Sequence, residues 1–175
     1  LINQSSQDQI SIIGLPGTIE YTDSFPLEVT GGNGNGEIEW SCDNADIDIV
    51  PSSENPAKAI VTINGSVDNQ VSITAAKKSD GNYDMSQTKV IFVPSAKTLT
   101  FNISNLLQSY DGTEKPAKVE PKNVQTDSYT VLYNGETAVP TNAGTYTVYA
   151  EGTGNYRGNG AATLIIKKGT LENNG

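Results

Sequence analysis

The sequence predicts an all-β fold made of two tandem β-sandwich modules. A strand pattern, a Gly-Asn-Tyr turn and a closing apolar strand in residues 71–95 recur in residues 144–168, at an offset of 73 residues. Recurrence at a fixed spacing is typical of modular chains. The chain also contains 17 Gly and 8 Pro, and no stretch keeps a helical periodicity over three turns. These features predict short strands joined by tight turns, in modules of residues 1–95 and 96–175.

The first module contains about seven strand patterns spaced about ten residues apart, which is typical of a β-sandwich. Phe25, Leu27 and Val29 alternate with positions that are polar or proline, as in a half-buried strand. Residues 37–42 alternate in the same way and carry Trp40, the only tryptophan of the chain. We therefore expect Trp40 to be the central aromatic residue of the first core.

A glycine-rich run, GGNGNG at residues 31–36, lies between two of these strand patterns. It lacks the lysine of a P-loop and the GxGxxG spacing, and a strand follows it where a phosphate site would need a helix N-terminus. Gly and Asn adopt positive φ at little steric cost. The run is therefore predicted to be a turn between strands.

The second module shows strand alternation in residues 97–103 and 128–133, followed by a corner in residues 140–148. In immunoglobulin domains, a tyrosine two residues before the second core cysteine bonds back to the backbone of such a corner. Tyr146 stands at that place, with Val148 where the cysteine would be. We expect a tyrosine corner without a disulfide, and hence an immunoglobulin-like sandwich in this module too.

An alternative architecture remains open for the second module. Residues 103–109 include the run SNLLQS, which is compatible with a short helix. A helix at this place would make the second module β-grasp-like.

The net charge is −9 and is unevenly distributed. Residues 1–95 carry 4 Lys and 13 Asp or Glu, a net charge of −9, whereas residues 96–175 carry 7 basic and 7 acidic residues, a net charge of zero. An acidic surface repels phosphate, so neither nucleic acid nor an anionic membrane is an expected partner. No apolar run is long enough for a membrane span, and membrane insertion is not expected.

The ends of the chain and its single cysteine bear on its context. Cys42 cannot form an internal disulfide and is predicted to be a core residue. The polar start, residues 3–9, is expected to be frayed or tied to a preceding module. A start at Leu1 in place of Met favours a piece of a longer or processed protein, in which residues 167–175 are a linker or the natural end.

Catalysis is not expected. The chain has no histidine, so it cannot contain a Ser-His-Asp or Cys-His arrangement or a metal site with histidine ligands. Asp46 and Asp48 lie about 7 Å apart along a predicted strand, within the spacing of glycosidase carboxylates. Alternation that buries Ile47 and Ile49 leaves both carboxylates in water, where nothing raises a pKa.

No cofactor is expected, with calcium as the one alternative. Carboxylate oxygens from Asp43, Asp46 and Asp48, or from residues 80–84, could coordinate this ion. Neither group has the ligand spacing of an EF-hand. A solvated acidic face is the simpler interpretation.

The chain has eight tyrosines, and exposed aromatic rings can stack on sugars. Tyr83 and Tyr156 occupy equivalent positions of the repeat and are predicted to be structural, as is Tyr146 at the corner. The candidates for a sugar-stacking surface are Tyr110, Tyr133 and Tyr149.

The first module resembles a known family in the run YTDSFPLEVTGGNGNGEIEW and in the later run ITAAKKSDGNY. Both are similar to the bacterial immunoglobulin-like (Big-type) repeats of surface and secreted proteins. The resemblance covers most of residues 10–95. The residues shared with that family are structural, so the resemblance implies a fold and no particular ligand.

The second module resembles the MBG-like bacterial modules. Four motifs carry the resemblance in order: Tyr-Asp-Gly at residues 110–112, Tyr-x-Val-x-Tyr-Asn-Gly at 129–135, Pro-Thr-x-Ala-Gly-Thr-Tyr at 140–146 and Asn-Tyr-x-Gly at 155–158. Such modules usually occur in tandem in exported proteins. The resemblance implies an extracellular location, either on a bacterial cell surface or secreted, within a longer array.

The leading functional expectation is a non-catalytic structural or display module pair whose partners are neighbouring modules of a longer chain. Every motif above is explained by turns, corners and cores, and the acidic surface favours solubility. One alternative is an adhesion module that binds a glycan or a host or other extracellular protein. Another is a pair of accessory domains of an extracellular carbohydrate-active enzyme.

Overall fold

The computed structural model describes residues 3–169. The chain divides into two compact units, Leu1–Ala96 (unit 1) and Lys97–Gly175 (unit 2). Both are built from strands, which confirms the predicted all-β fold. No helix occurs between residues 3 and 169, and so none in this range could cross a membrane. Most of the C-terminal tail predicted as a linker, from residue 170 onward, lies outside the described residues.

The described part of unit 1 contains seven strands in two antiparallel sheets. The strands are β1 Ile10–Ile13, β2 Ser24–Gly31, β3 Ile38–Cys42, β4 Ile47–Pro51, β5 Lys58–Ile63, β6 Val71–Lys77 and β7 Ser86–Phe92. One sheet has the order β1-β2-β5-β4 and the other the order β3-β6-β7. With the strands lettered A to G, this is ABED against CFG, the topology of the constant-type immunoglobulin sandwich.

The core of unit 1 is formed by alternate side chains of its strands. Val61, Ile63 and Ile73 have no exposed surface, whereas their chain neighbours point outward, as the two-residue period of a strand requires. Phe25 and Phe92 meet edge to face, with ring centroids 6.2 Å apart and ring planes at 79°. The sequence predicted Trp40 as the central aromatic residue of this core, but the pair of phenylalanines occupies that position.

Trp40 is half-buried and lies on β3, an edge strand of the second sheet. Its ring packs against both apolar clusters of unit 1. The indole Nε1 donates a hydrogen bond to the carbonyl oxygen of Pro56 at 2.9 Å. Because β3 is an edge strand, Trp40 reaches the turn between β4 and β5 as well as the core.

The described part of unit 2 contains eight short strands. They are β8 Lys97–Thr98, β9 Phe101–Ser104, β10 Leu107–Ser109, β11 Lys118–Pro121, β12 Tyr129–Tyr133, β13 Gly144–Gly152, β14 Tyr156–Arg157 and β15 Asn159–Lys167. The main sheet has the order β10-β15-β13-β12, while β11 pairs with β9 and β14 with β8. Ile103 of β9 and Val119 of β11 pack against the buried face of the main sheet, which consists of Tyr133, Val148, Leu164 and Ile166.

The β-grasp-like alternative for unit 2 is wrong. Residues 103–104 end β9, residues 107–109 form β10, and the two residues between these strands are not helical. β10 runs parallel to β15, with Leu107 opposite Ile165, so strand pairing satisfies the backbone of this segment.

The recurring Gly-Asn-Tyr turns make equivalent backbone contacts in the two units. In unit 1, the Ser5 amide donates to the Asn82 carbonyl at 2.7 Å, and Ser5 bridges in parallel to the tyrosine of the turn. In unit 2, the Lys97 amide donates to the Asn155 carbonyl at 3.0 Å, and Lys97 again pairs in parallel with the tyrosine of the turn. In each unit, the repeated turn therefore forms a backbone hydrogen bond with a residue near the start of that unit.

The start of the chain is held by further hydrogen bonds in unit 1. The Gln7 side chain donates to the Asp84 carbonyl at 2.7 Å and accepts from the Asn33 amide at 3.0 Å. The expectation of a frayed start is therefore wrong for residues 5–7.

Candidate binding surfaces

The carboxylates predicted as metal ligands stand apart from one another. Each is exposed and accepts a hydrogen bond from a different neighbour: Asp43 from the Ser72 amide at 2.9 Å, Asp46 from the Ser66 hydroxyl at 3.2 Å, and Asp48 from the Asn64 side-chain amide at 2.7 Å. Within residues 3–169, no group of three His, Cys, Asp or Glu side chains comes close enough to hold a metal ion. Each carboxylate instead links its own segment to a different residue further along the chain.

Asp80 holds the glycine-rich turn against the turn that precedes β7. Its carboxylate accepts hydrogen bonds from the backbone amides of Asn35 at 2.6 Å and of Asn82 and Tyr83, both at 3.0 Å. These backbone donors, the Asn35 amide first, hold the pKa of Asp80 below its ordinary value of 3.8. The Asp80 carboxylate, one of the two acidic groups in residues 80–84, therefore has a structural role.

The close approach of the two turns explains a glycine in the GGNGNG run. A Cβ at Gly36 would lie 1.8 Å from the carbonyl oxygen of Lys78, so no side chain fits there. Gly31 is the last residue of β2, and residues 32–36 of the run connect β2 to β3 as the sequence predicted. The turn that contains Asp80 contacts this connection.

The first testable prediction concerns Asp80. We expect Asp80→Asn to lower the melting temperature of unit 1 at pH 7, because a charged acceptor of three amides is lost. The carboxylate stabilises the fold fully above its unfolded pKa of 3.8, and this stabilisation is lost as the pH falls through the lower folded pKa. The difference between the proteins should therefore shrink in acid when melting is followed by Trp40 fluorescence. An undiminished difference at acid pH would contradict this role, and Asp8→Asn is the control.

Tyr146 makes the hydrogen bond of a tyrosine corner. Its hydroxyl donates to the carbonyl oxygen of Asn142, four residues upstream, at 2.9 Å. The ring is half-buried and packs against the inner cluster of unit 2, and Val148 is fully buried beside it. The corner thus forms without a disulfide, since apolar packing fills the place of the cystine.

The second prediction tests this corner. We expect Tyr146→Phe to reduce the free energy of unfolding of unit 2 by about 0.5–1.5 kcal/mol, the usual contribution of one hydrogen bond. Tyr149→Phe is the matched control, because the Tyr149 hydroxyl makes no hydrogen bond to the described residues. Chemical denaturation followed by far-ultraviolet circular dichroism measures both. Equal effects of the two substitutions would contradict a stabilising role of the Tyr146 hydrogen bond.

The three tyrosines predicted to bind sugars occupy different environments. Tyr133 is only 6% exposed, and its hydroxyl accepts a hydrogen bond from the Ala117 amide at 3.0 Å, so its ring offers no stacking face. Tyr110, the first residue of the Tyr-Asp-Gly motif, is exposed. Tyr149 is half-buried on the outer face of the main sheet of unit 2. The structure does not bring the three rings together on one face.

The cross-strand neighbours of Tyr149 are uncharged, while Glu151, two residues further along β13, lies on the same face. Tyr149 lies opposite Leu132 on one neighbouring strand and Ala161 on the other. The next pair along the same face is Thr147 and Thr163. Of the three candidates, Tyr149 alone combines partial exposure with a sheet face around it.

The Tyr-Asp-Gly motif secures a buried cation. Lys115 is the one charged residue classed as buried in the described part of the chain, at 9% exposure. Its ammonium group contacts the Asp111 carboxylate at 2.5 Å, and the same carboxylate accepts from the Thr113 hydroxyl at 2.6 Å. The Lys115 ammonium, followed by Thr113, holds the pKa of Asp111 well below its ordinary range. Asp111 of the motif therefore neutralises the charge of a buried lysine in unit 2.

A groove runs alongside β3 in unit 1. It has a volume of about 630 Å³ and is lined by five consecutive residues of the chain, 37–41. Its remaining walls are formed by the turn between β4 and β5 and by the outer face of β6 and β7: Pro51, Ser52, Ser53, Pro56, Thr74, Ala76 and Gln87. Sequence reasoning missed this groove, since alternation in residues 37–42 shows which side chains share a face but not that β3 is an edge strand.

The fold and its internal hydrogen bonds define a class of protein: a chain of β-sandwich modules of the immunoglobulin type. Residues 98–170, within unit 2, match the model of the MBG domain family. This match supports the MBG-like module that the sequence motifs implied for unit 2. No curated protein matches the chain.

Three of the solved structures that are similar to the chain share little sequence identity with it. They are protocadherin gamma B2 extracellular cadherin domains 1–5 (11% identity, TM-score 0.38), a chimeric titin Z1Z2 functionalized with a KLER exogenous peptide from decorin (13%, 0.38) and titin domains Z1Z2 in complex with telethonin (15%, 0.34). Each likeness covers 94% of this chain, which spans 41% of the protocadherin chain and 96% of each titin chain. All three TM-scores are below 0.5, and the strand topology defines the fold class.

Proposed function

We propose that the chain is a non-catalytic structural or display module pair of a longer bacterial protein that is secreted or exposed at the cell surface. In this proposal unit 1 is a bacterial immunoglobulin-like repeat and unit 2 an MBG-like module. Their partners are neighbouring modules of the same chain.

The observation that carries this proposal is the internal use of the motif residues. Asp80, Asp111 and Tyr146 each direct their polar atoms to groups of their own unit. A motif that serves ligands would instead leave such atoms free at the surface. The absence of histidine from the sequence supports a role without acid–base or nucleophilic catalysis.

A second candidate function is glycan adhesion through unit 2. The observation in its favour is the half-buried Tyr149 on the outer sheet face, with two uncharged neighbours, Leu132 and Ala161, opposite it. An aromatic ring on such a face can stack on a pyranose.

A glycan panel distinguishes the two functions. The 175-residue chain is assayed with calcium and again with a chelator. The structural proposal predicts no saturable binding in either buffer. Saturable binding that Tyr149→Ala abolishes and Tyr133→Phe preserves would contradict it and establish unit 2 as an adhesion module, because Tyr133 is buried and serves as the matched control.

A further inference from the structure

The free edge of β3 presents unpaired backbone groups. β3 pairs with β6 alone, and the hydrogen bonds at its two ends, from Lys78 N to Glu37 O at 2.9 Å and from Asp43 N to Ser72 O at 3.2 Å, fix which residues face β6. In an antiparallel ladder the facing residues alternate. The N–H and C=O groups of the intervening alternate residues, Ile38, Trp40 and Cys42, therefore point away from the sheet, and they make no hydrogen bond to the described residues.

The groove beside this edge has the size of a binding cleft. Its volume of about 630 Å³ lies within the range of about 300–1,000 Å³ that ligand sites occupy. The hydrogen bond from Trp40 Nε1 to Pro56 O holds the groove wall that is formed by the turn between β4 and β5. An additional strand paired with β3 would place alternate side chains next to Trp40 and the prolines of that wall, which suits apolar residues.

The other face of such a strand would meet negative charge. Glu37 and Glu39 point outward from β3, and a single lysine, Lys78, contacts both carboxylates. The group carries a net negative charge within a module whose residues 1–95 have a net charge of −9. Basic side chains on the added strand would be attracted to this face.

The same charges disfavour a second copy of this chain as the occupant. Antiparallel pairing of two β3 strands would bring their glutamates together at the new ladder, and like charges at such positions are destabilising. An extended segment with basic residues escapes this repulsion and still completes the ladder.

We propose that the free edge of β3 binds an extended peptide segment of a partner protein, in which Lys or Arg residues alternate with apolar residues. The backbone ladder of Ile38, Trp40 and Cys42 supplies affinity, as in other cases of strand addition. Glu37 and Glu39 select basic side chains. This site lies in unit 1 and does not depend on the structural role proposed above.

Synthetic hexapeptides test the proposal on the full chain. The probes are Lys-Val-Lys-Val-Lys-Val, its glutamate counterpart Glu-Val-Glu-Val-Glu-Val, and the lysine peptide with every amide N-methylated. Titration is followed by amide resonances in nuclear magnetic resonance at about 0.15 M salt. We expect saturable shifts at the amides of Ile38, Trp40 and Cys42, with slowed hydrogen exchange, for the first peptide alone.

Variants on the protein side test the charge selection. We expect the double variant Glu37→Lys/Glu39→Lys to weaken binding of the lysine peptide by at least about tenfold. The control, Asp8→Lys/Asp84→Lys, makes the same change in net charge at exposed residues outside the groove. The proposal is overturned by absence of binding, by equal binding of the N-methylated peptide, by shifts located elsewhere, or by equal effects of the two double variants.

Discussion

Replacing Phe25 by alanine is expected to destabilise unit 1 by about 3–5 kcal/mol. The side chain is 7% exposed, and the substitution leaves a cavity in the main apolar cluster. It also removes the edge-to-face contact with Phe92, and such pairs contribute about 0.5–1.5 kcal/mol beyond the area they bury. A loss of this size is a large part of the stability of a small domain.

Trp40 makes this effect measurable in unit 1 by itself. It is the only tryptophan of the chain and packs on the clusters of unit 1, so its fluorescence reports the unfolding of that unit. Urea denaturation of Phe25→Ala should shift the fluorescence transition to lower denaturant. Ile60→Ala is the control, because Ile60 is 47% exposed on a neighbouring strand and its truncation should cost far less. Similar shifts in both variants would contradict the assignment of the core.

Replacing Leu164 by alanine is expected to destabilise unit 2 by about 2–5 kcal/mol. Leu164 is fully buried on β15, opposite Tyr146 of β13, and belongs to the cluster on which β9 and β11 pack. The clusters around Phe25 and around Leu164 each contain residues of one unit only. In urea denaturation, the far-ultraviolet circular dichroism of the chain should therefore begin to change at lower denaturant. The Trp40 fluorescence transition, which reports unit 1, should not shift.

The exposed neighbour Ile165 supplies the control for this prediction. It lies next to Leu164 on β15 but points outward and is 43% exposed, so Ile165→Ala should change stability much less. A shift of the Trp40 transition in Leu164→Ala would contradict the account of two separately folded cores.

Strand positions were the part of the fold that the sequence predicted well. Alternation such as that of Phe25, Leu27 and Val29 specifies which side chains share a face, and these three are buried together. The corner tyrosine was also predictable, because Tyr146 and Val148 keep a local spacing that does not depend on distant parts of the chain.

What the sequence could not supply was the place of each strand within a sheet. Tyr133 was a candidate for sugar binding, but it lies on the inner face of β12, because alternation does not show which of two faces is covered. The half-buried state of Trp40 and the groove beside it follow from the edge position of β3, which depends on pairing with the distant β6. The separation of Asp43, Asp46 and Asp48 likewise depends on hydrogen-bond partners 16 to 29 residues further along the chain.

The most direct test of the account is amide hydrogen exchange of the unmodified chain, measured with and without calcium. The central claim is that the recurring motifs close each unit by hydrogen bonds. It predicts slow exchange for Ser5 and Asn35 in unit 1 and for Lys97 in unit 2, with rates that calcium leaves unchanged. Fast exchange at these amides would contradict the claim. Protection that appears only with calcium would also contradict it and would make the motifs part of a ligand site.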